Sequence, residues 1–572
     1  MQRHSGGKLW RVTSSEHANL QTKGLIRARC VRIARWRVLR KDDLLPASWK
    51  TSGRIPNLSR MQRQASSAFH DRDFDKAERL CSGILDHRPG DYDALHLLGM
   101  VNFQRRHMVE ALRFLAAALK ANPDSSDTMS NLGLALHTVG RYEEATLWYR
   151  HALNIAPDHP EILYNFGNAC LELGRFAEAR SRYDAALAIV PAHPGALVNR
   201  GNALLRLNEP EAALASYDTA LAVMPQHPQI LTNRGHTLRR LGRPVEALAE
   251  FENAVAAAPE FAEAHFEAAM THLSLGDFET GWEAYEWRWK TGAFARQRRS
   301  FQVPQWLGRE SVAGKTILLH AEQGFGDTIQ FIRYAPLLVQ MGANVICEVQ
   351  AELQPLLSQL DGLSVVASGE PLPAFDLYCP LLSLPFAFKT RLATIPAAVP
   401  YLVAPAERQA HWQNRLPQGR PRAGFVWSGS SAHRSDLARS IPLARLAALF
   451  ADPPLSCVSL QTELRNTDNE VLRDLPKLSD LGGEIRDFTD TAAIISLLDI
   501  VISVDTVASH LAGALGKPVM ILLPYAADFR WMHEREDTPW YPTAKLLRQP
   551  ALGDWDSVVV RLREELLPTK LP

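Results

Sequence analysis

The chain has 572 residues and a mass of 63.7 kDa, too much for one hydrophobic core, so it must divide into several units. Its 46% hydrophobic, 22% charged and 8% aromatic residues are those of packed globular protein, which excludes a wholly disordered, collagen-like or membrane-embedded chain. With 63 Lys and Arg against 62 Asp and Glu, the formal charge of +1 supplies no field for a nucleic-acid partner, and none is expected.

Residues 1–60 depart from that balance, with 14 Lys and Arg against three Asp and Glu. Arg27, Arg29, Arg32, Arg35, Arg37, Arg40 and Lys41 form a basic run that reads as a disordered arm over residues 1–57, or as sequence upstream of a start at Met61. An acidic surface is the alternative partner for it. No apolar core follows the early charges, so no secretory leader is expected. The longest apolar run, residues 492–504, is broken by Asp499 and is too short to span a bilayer. Six scattered cysteines without a CxxC pair fit a reducing cytoplasm and no metal site.

Next comes a strict repeat. Gly99, Gly133, Gly167, Gly201 and Gly235 recur every 34 residues. Ala111, Ala145, Ala179, Ala213 and Ala247 keep the same interval, as do Pro123, Pro157, Pro191, Pro225 and Pro259. Tyr149, Tyr183, Tyr217, Phe251 and Tyr285 form an aromatic column. Small residues let two helices approach, an aromatic fills the gap between repeats, and Pro stops the second helix. The pattern resembles the tetratricopeptide repeat, in seven copies over residues 58–295. Stacked helix pairs make a superhelix with a concave, peptide-binding side. Asn131, Asn165, Asn199 and Asn233 precede the glycines by two and are placed to face that groove. They resemble the asparagine ladder in the repeats of protein O-GlcNAc transferases; the alternative is that they satisfy backbone within the stack.

After a linker over residues 296–314 the period changes. Short apolar runs at 316–320, 344–349, 364–366 and 377–379, and again at 423–427, 457–460, 500–504 and 519–523, alternate with helical segments and predict two parallel sheets, over residues 315–405 and 406–572. Ligands of such sheets sit at the carboxyl ends of the strands. The first such turn holds Gln323, Gly324, Gly326 and Asp327. Its glycines allow close backbone approach, and Asp327, at a helix start, is either a general base or an ordinary cap. Trp427, Ser428 and Gly429 follow another strand and lead to His433, Asp436 and Arg439, a polar cluster suited to phosphate or sugar hydroxyls. A third strand ends in Asp505 and Thr506 before a small-residue helix carrying His510, a helix N-terminus suited to a diphosphate.

Together with Gly281-Trp-Glu-Ala-Tyr-Glu-Trp-Arg-Trp289, Arg439-Ser-Ile-Pro-Leu443, Asp490-Thr-Ala-Ala493, Asp528-Phe-Arg-Trp531 and Pro539-Trp-Tyr-Pro542, these turns make residues 280–560 resemble the glycosyltransferase family that includes the lipopolysaccharide heptosyltransferases. The resemblance implies an α-solenoid followed by a GT-B-like domain of two Rossmann-like halves, the first for acceptor and the second for a nucleotide-diphosphate sugar, with no cofactor and no metal. It casts Asp327 as base, Arg439 as the charge that assists the leaving group, and Trp427, Ser428, Gly429, Asp505, Thr506 and His510 as donor-binding. Arg439 stands where the family usually has Lys, and Val507 where it usually has Gly. The expected function is transfer of a sugar to an acceptor held by the repeat groove, a protein Ser or Thr. Two alternatives remain open: a non-catalytic repeat scaffold, and a cell-envelope glycan enzyme docked peripherally on an assembly complex.

Overall fold

The computed structural model describes residues 57–292, 294–419, 421–432, 436–451 and 455–566. The basic run from Arg27 to Lys41, Cys30 and His433 lie outside the described residues. Packing divides the chain after His87.

The first unit holds one helix pair, Leu58–His70 and Phe74–His87, with the small residues Ala65, Ala68, Ala77 and Cys81 buried. In the second unit six more pairs follow, from Tyr92–Gln104 with Met108–Ala121 to Ala262–Leu275 with Phe278–Tyr285. Each glycine accepts a side chain of its own repeat. A Cβ at Gly133, Gly201 or Gly235 would lie 2.6–2.7 Å from the ring of Tyr149, Tyr217 or Phe251. The aromatic column was expected between repeats; it sits first on the glycine of its own repeat, because the missing Cβ leaves a notch for a ring, and touches the next repeat as well, as in the Tyr149–Phe166 stack. Pro123, Pro157, Pro191, Pro225 and Pro259 stand two residues beyond the end of each second helix, which they cannot continue. The turn between the paired helices holds a left-handed residue at the same interval: Arg72, Arg106, Gly140, Gly174, Asn208, Gly242 and Gly276.

The α/β half begins with β1 (Thr316–His320), β2 (Asn344–Val349), β3 (Leu363–Ala367) and β4 (Leu377–Pro380), a parallel sheet in the order β3-β2-β1-β4. A second sheet holds β5 (Arg422–Val426), β6 (Ser456–Ser459), β7 (Leu478–Asp480), β8 (Ile500–Val504), β9 (Val519–Leu523) and β10 (Ala544–Arg548), also parallel, in the order β10-β9-β8-β5-β6-β7. Its register sets Phe425 opposite Ile502 and Ile502 opposite Met520. Strand order reverses between β1 and β4 and between β5 and β8, and the crevice at such a reversal is where open sheets bind ligands. Eight strands lie where the apolar runs predicted them. The other two, β7 and β10, are edge strands. The former has three residues and the latter is interrupted by Lys545 and Arg548, so neither presents a continuous apolar run.

One core crosses the expected boundaries at residues 295 and 405. Leu273, Trp282 and Tyr285 of the last repeat pack with Leu319 and Phe331 of the first sheet's layer and with Leu511 and Trp540 of the second. Arg288 is fully buried at this junction, held by both oxygens of Glu322 at 3.0 Å, by Glu286 at 2.7 Å and by the Ser383 hydroxyl at 2.8 Å. Removing one partner of so buried a pair costs several kcal/mol, on the order of 3–5. The last helix pair is thus fixed rigidly to both lobes of the α/β half.

Candidate functional site

The carboxyl ends of β1, β5, β8 and β9 open on one cavity of about 1680 Å³, whose far wall is the solenoid, with Asn202, Asn233, His236 and Arg240. Beyond β1, Gly324 caps the helix Phe325–Phe331. Asp327 in its first turn accepts the Gly324 N–H at 2.9 Å and forms an ion pair with Arg530. The carboxylate is a cap, as one reading of the sequence had it, and also faces the cavity. Gln323 donates to the Tyr285 hydroxyl at 3.0 Å, so the last repeat positions this loop. A Cβ on Gly324 would meet nothing closer than 3.5 Å, whereas one on Gly326 would lie 2.7 Å from the His510 ring. Gly326 therefore serves the approach of two helices, one from each lobe, and it also lines the cavity.

Beyond β5, Trp427 turns away from the cavity into the second lobe's core and donates its indole N–H to Asp468 at 3.1 Å. Ser428 and Gly429 do line the cavity. The Gln461 side chain accepts the N–H groups of Trp427 and Ser428 and donates back to the Ser428 carbonyl, locking the turn. That leaves the buried Ser428 Oγ without a hydrogen-bond partner among the described residues. Arg439 donates to the Asp505 carbonyl at 2.9 Å, joining the turns beyond β5 and β8.

Beyond β8, Thr506 begins the helix Val507–Ala514 without a side-chain cap; its hydroxyl is shared with Ser503 at 2.9 Å, which leaves the first N–H groups to the cavity. Burial, with Asp528 beside it, pushes the Asp505 carboxyl up to about 6. His510 shares a hydrogen bond with the Tyr541 hydroxyl at 3.0 Å and stacks on Trp531. Burial, together with the charges of Arg530, Arg333 and Arg439, keeps its imidazole well below the usual histidine range, hence neutral. The sequence reading assigned no role to Arg530, Asp528, Gln461 or Tyr541. Arg530 links Asp327, Asp528 at 2.7 Å and Gln330 at 2.9 Å, so it bridges the lobes at the bottom of the cavity. Its signals were its place in the turn after β9, a fourth strand end at the same crevice, and in the Asp528-Phe-Arg-Trp531 motif of the resemblance. Among the described residues no group of three His, Cys, Asp or Glu is gathered to hold a metal ion, and no helix is long and apolar enough to cross a membrane.

The asparagine column divides. Asn199 donates to Asn168 at 2.8 Å and Asn233 to Asn202 at 3.3 Å, each in the preceding repeat, and Asn131 meets His96 at 3.3 Å. These amides stitch the stack, while among the described residues Asn165 makes no such bond, and Asn233 also lines the cavity.

Models of the tetratricopeptide repeat match residues 110–160, 164–229 and 232–298, and a second such model matches residues 68–133 and 136–188. The N-terminal half is a tetratricopeptide-repeat solenoid. Repeats of this kind typically bind protein or peptide partners. The chain is 25% identical over 337 residues to protein FlbA of Caulobacter vibrioides, covering 54% of this chain, and it spans about half, 55%, of that relative's length. Among solved structures, it resembles a tetratricopeptide repeat protein from Parabacteroides merdae, at 17% identity over 40% of this chain and 91% of that one, with a TM-score of 0.35. It also resembles the type IV pilus biogenesis factor PilW, at 18% over 37% and 98%, TM-score 0.35. A third is YrrB, described as having an unusual peptide-binding site, at 17% over 32% and 95%, TM-score 0.30.

Proposed function

We propose that the protein is a GT-B-type glycosyltransferase that moves a sugar from a nucleotide-diphosphate donor to a Ser or Thr hydroxyl of a peptide lying in the repeat groove. The observation that carries this reading is that one cavity has walls from the solenoid's first helices and their turns and from the strand ends of both parallel sheets. The donor diphosphate would sit at the open N-terminus of the helix Val507–Ala514 beside Arg439, where backbone N–H groups and a guanidinium favour an anion. The hydroxyl oxygen attacks the anomeric carbon, its proton passes to Asp327, and the electron pair of the broken C–O bond leaves on the diphosphate, stabilised by Arg439. Arg530 holds Asp327 in the free protein. An arriving diphosphate competes for that guanidinium, which would free the carboxylate only when donor is bound.

The same ion pair favours a second reading, a scaffold with a silent transferase half, since a carboxylate held by arginine is a weak base. Incubating the full chain with a panel of nucleotide sugars and acceptor peptides, read by mass spectrometry, separates the two. Transfer that falls at least about 100-fold in Asp327→Asn, with donor affinity kept, supports the enzyme. Absence of both donor binding and hydrolysis across the panel supports the scaffold, and unchanged turnover in the variant removes Asp327 as base.

A further inference from the structure

The solenoid wall of the cavity carries two arginines whose charge no carboxylate among the described residues neutralises. Arg206 and Arg240, each the last residue of the first helix in consecutive repeats, both line the cavity. Among the described residues neither meets a carboxylate. Arg206 lies over the Phe176 ring at 4.9 Å, while Arg240 donates to the Leu205 carbonyl at 2.9 Å and to the Asn208 side chain at 2.7 Å. Arg239 next to it is satisfied: Glu267 lies 2.7 Å away and also 3.0 Å from His236. Burial alone would raise the Glu267 carboxyl, but Arg239 and His236 outweigh it and hold it at about 2, so that carboxylate stays charged and engaged. Burial and the charge of Arg206 both lower the Arg240 guanidinium. In the repeats farther from the α/β half the same position holds Gln104, Thr138 and Glu172, so the paired cations occur only where the groove meets the cavity.

We propose that Arg206 and Arg240 form a subsite for a side-chain carboxylate of the groove peptide, selecting acceptor segments that carry Asp or Glu near the reactive hydroxyl. The planar guanidinium fork suits a carboxylate, and an anion that joins the half-buried Arg240 to the exposed Arg206 offsets the repulsion between them. This inference rests on the reading of the groove as a peptide site, not on turnover. Its test is fluorescence anisotropy on the full chain, with a labelled Ser- and Thr-containing peptide bearing three consecutive Glu and its Gln counterpart. The Glu peptide is expected to bind about tenfold tighter at low salt, with the advantage shrinking as salt rises. Arg206→Gln breaks no hydrogen bond among the described residues, so it should fold and lose most of that advantage. Arg206→Glu should transfer the preference to a Lys-bearing peptide, which a merely structural arginine would not do. Equal affinity of wild type for the Glu and Gln peptides, or an advantage that survives both variants, overturns the subsite while the groove reading stands. Binding of neither peptide overturns both.

Discussion

At the scale of single residues the cavity is defined by groups whose charge state its walls decide. Asp505 is the sharpest case. Its carboxyl, raised to about 6 by burial with Asp528 alongside, binds a proton more tightly folded than unfolded. Protonation therefore favours the folded state: the contribution is fully present below the unfolded value near pH 4 and is lost as pH climbs through 6, by at most about 3 kcal/mol. Thermal melts between pH 4 and 8 should show stability falling over that window, and Asp505→Asn should flatten the fall and melt higher than wild type at pH 7.5. A variant that keeps the wild-type profile would show that another group titrates there. Little of this was legible in the sequence. Asp327, Asp505 and His510 could be marked because each follows an apolar run that ends in a turn. Arg530 stood in the Asp528-Phe-Arg-Trp531 motif, but its pairing with Asp327 across 203 positions could not be read, since a long-range ion pair leaves no periodic trace.

Among the elements, the repeat shows how a column of one residue type encodes a contact. Gly201 is a glycine because a Cβ there would lie 2.6 Å from the buried Tyr217 ring. Gly201→Ala should destabilise the protein by about 1–3 kcal/mol, the cost of overpacking, seen as a lowered urea midpoint. The turn column behaves in the opposite sense. Arg106 is exposed and holds a left-handed φ of 63°, where four of the other six repeats have glycine. Arg106→Gly should therefore raise the midpoint, by about 1 kcal/mol, because it relieves a backbone strain at an exposed position. A lowered midpoint would mean that the arginine side chain contributes more than its backbone costs. The Gly, Ala and Pro columns made the helix pairs readable, since contacts within a repeat recur at one spacing. The left-handed column escaped notice because Arg, Gly and Asn fill it alike, united by backbone geometry rather than by side chain. Likewise β7 and β10 escaped because β7 has three residues and Lys545 and Arg548 interrupt β10, so neither shows the continuous apolar run that marks β5, β8 and β9.

For the whole molecule the decisive feature is that groove and strand ends share one space, with Asn233 and Arg240 on one wall and Ser428, Asp505 and Arg530 on the other. The core that runs from Leu273 through Tyr285 into Leu319 and Trp540, together with the buried Arg288, holds those walls at a fixed separation. Two ligands in such a cavity cannot be independent. A nucleoside diphosphate bound near Arg439 should stabilise the full chain, by about 2.7 kcal/mol at a hundred times its Kd. It should also change the affinity of a groove peptide, by repelling an acidic segment or by rearranging Arg530 and Asp327. Linkage requires the peptide to change nucleotide affinity by the same factor, expected to be about fivefold or more. Titrating each ligand calorimetrically in the presence and absence of the other measures both factors. Equal and non-unit factors establish a shared site, whereas factors of one would separate the groove from the cleft and return the solenoid to the role of an independent docking arm.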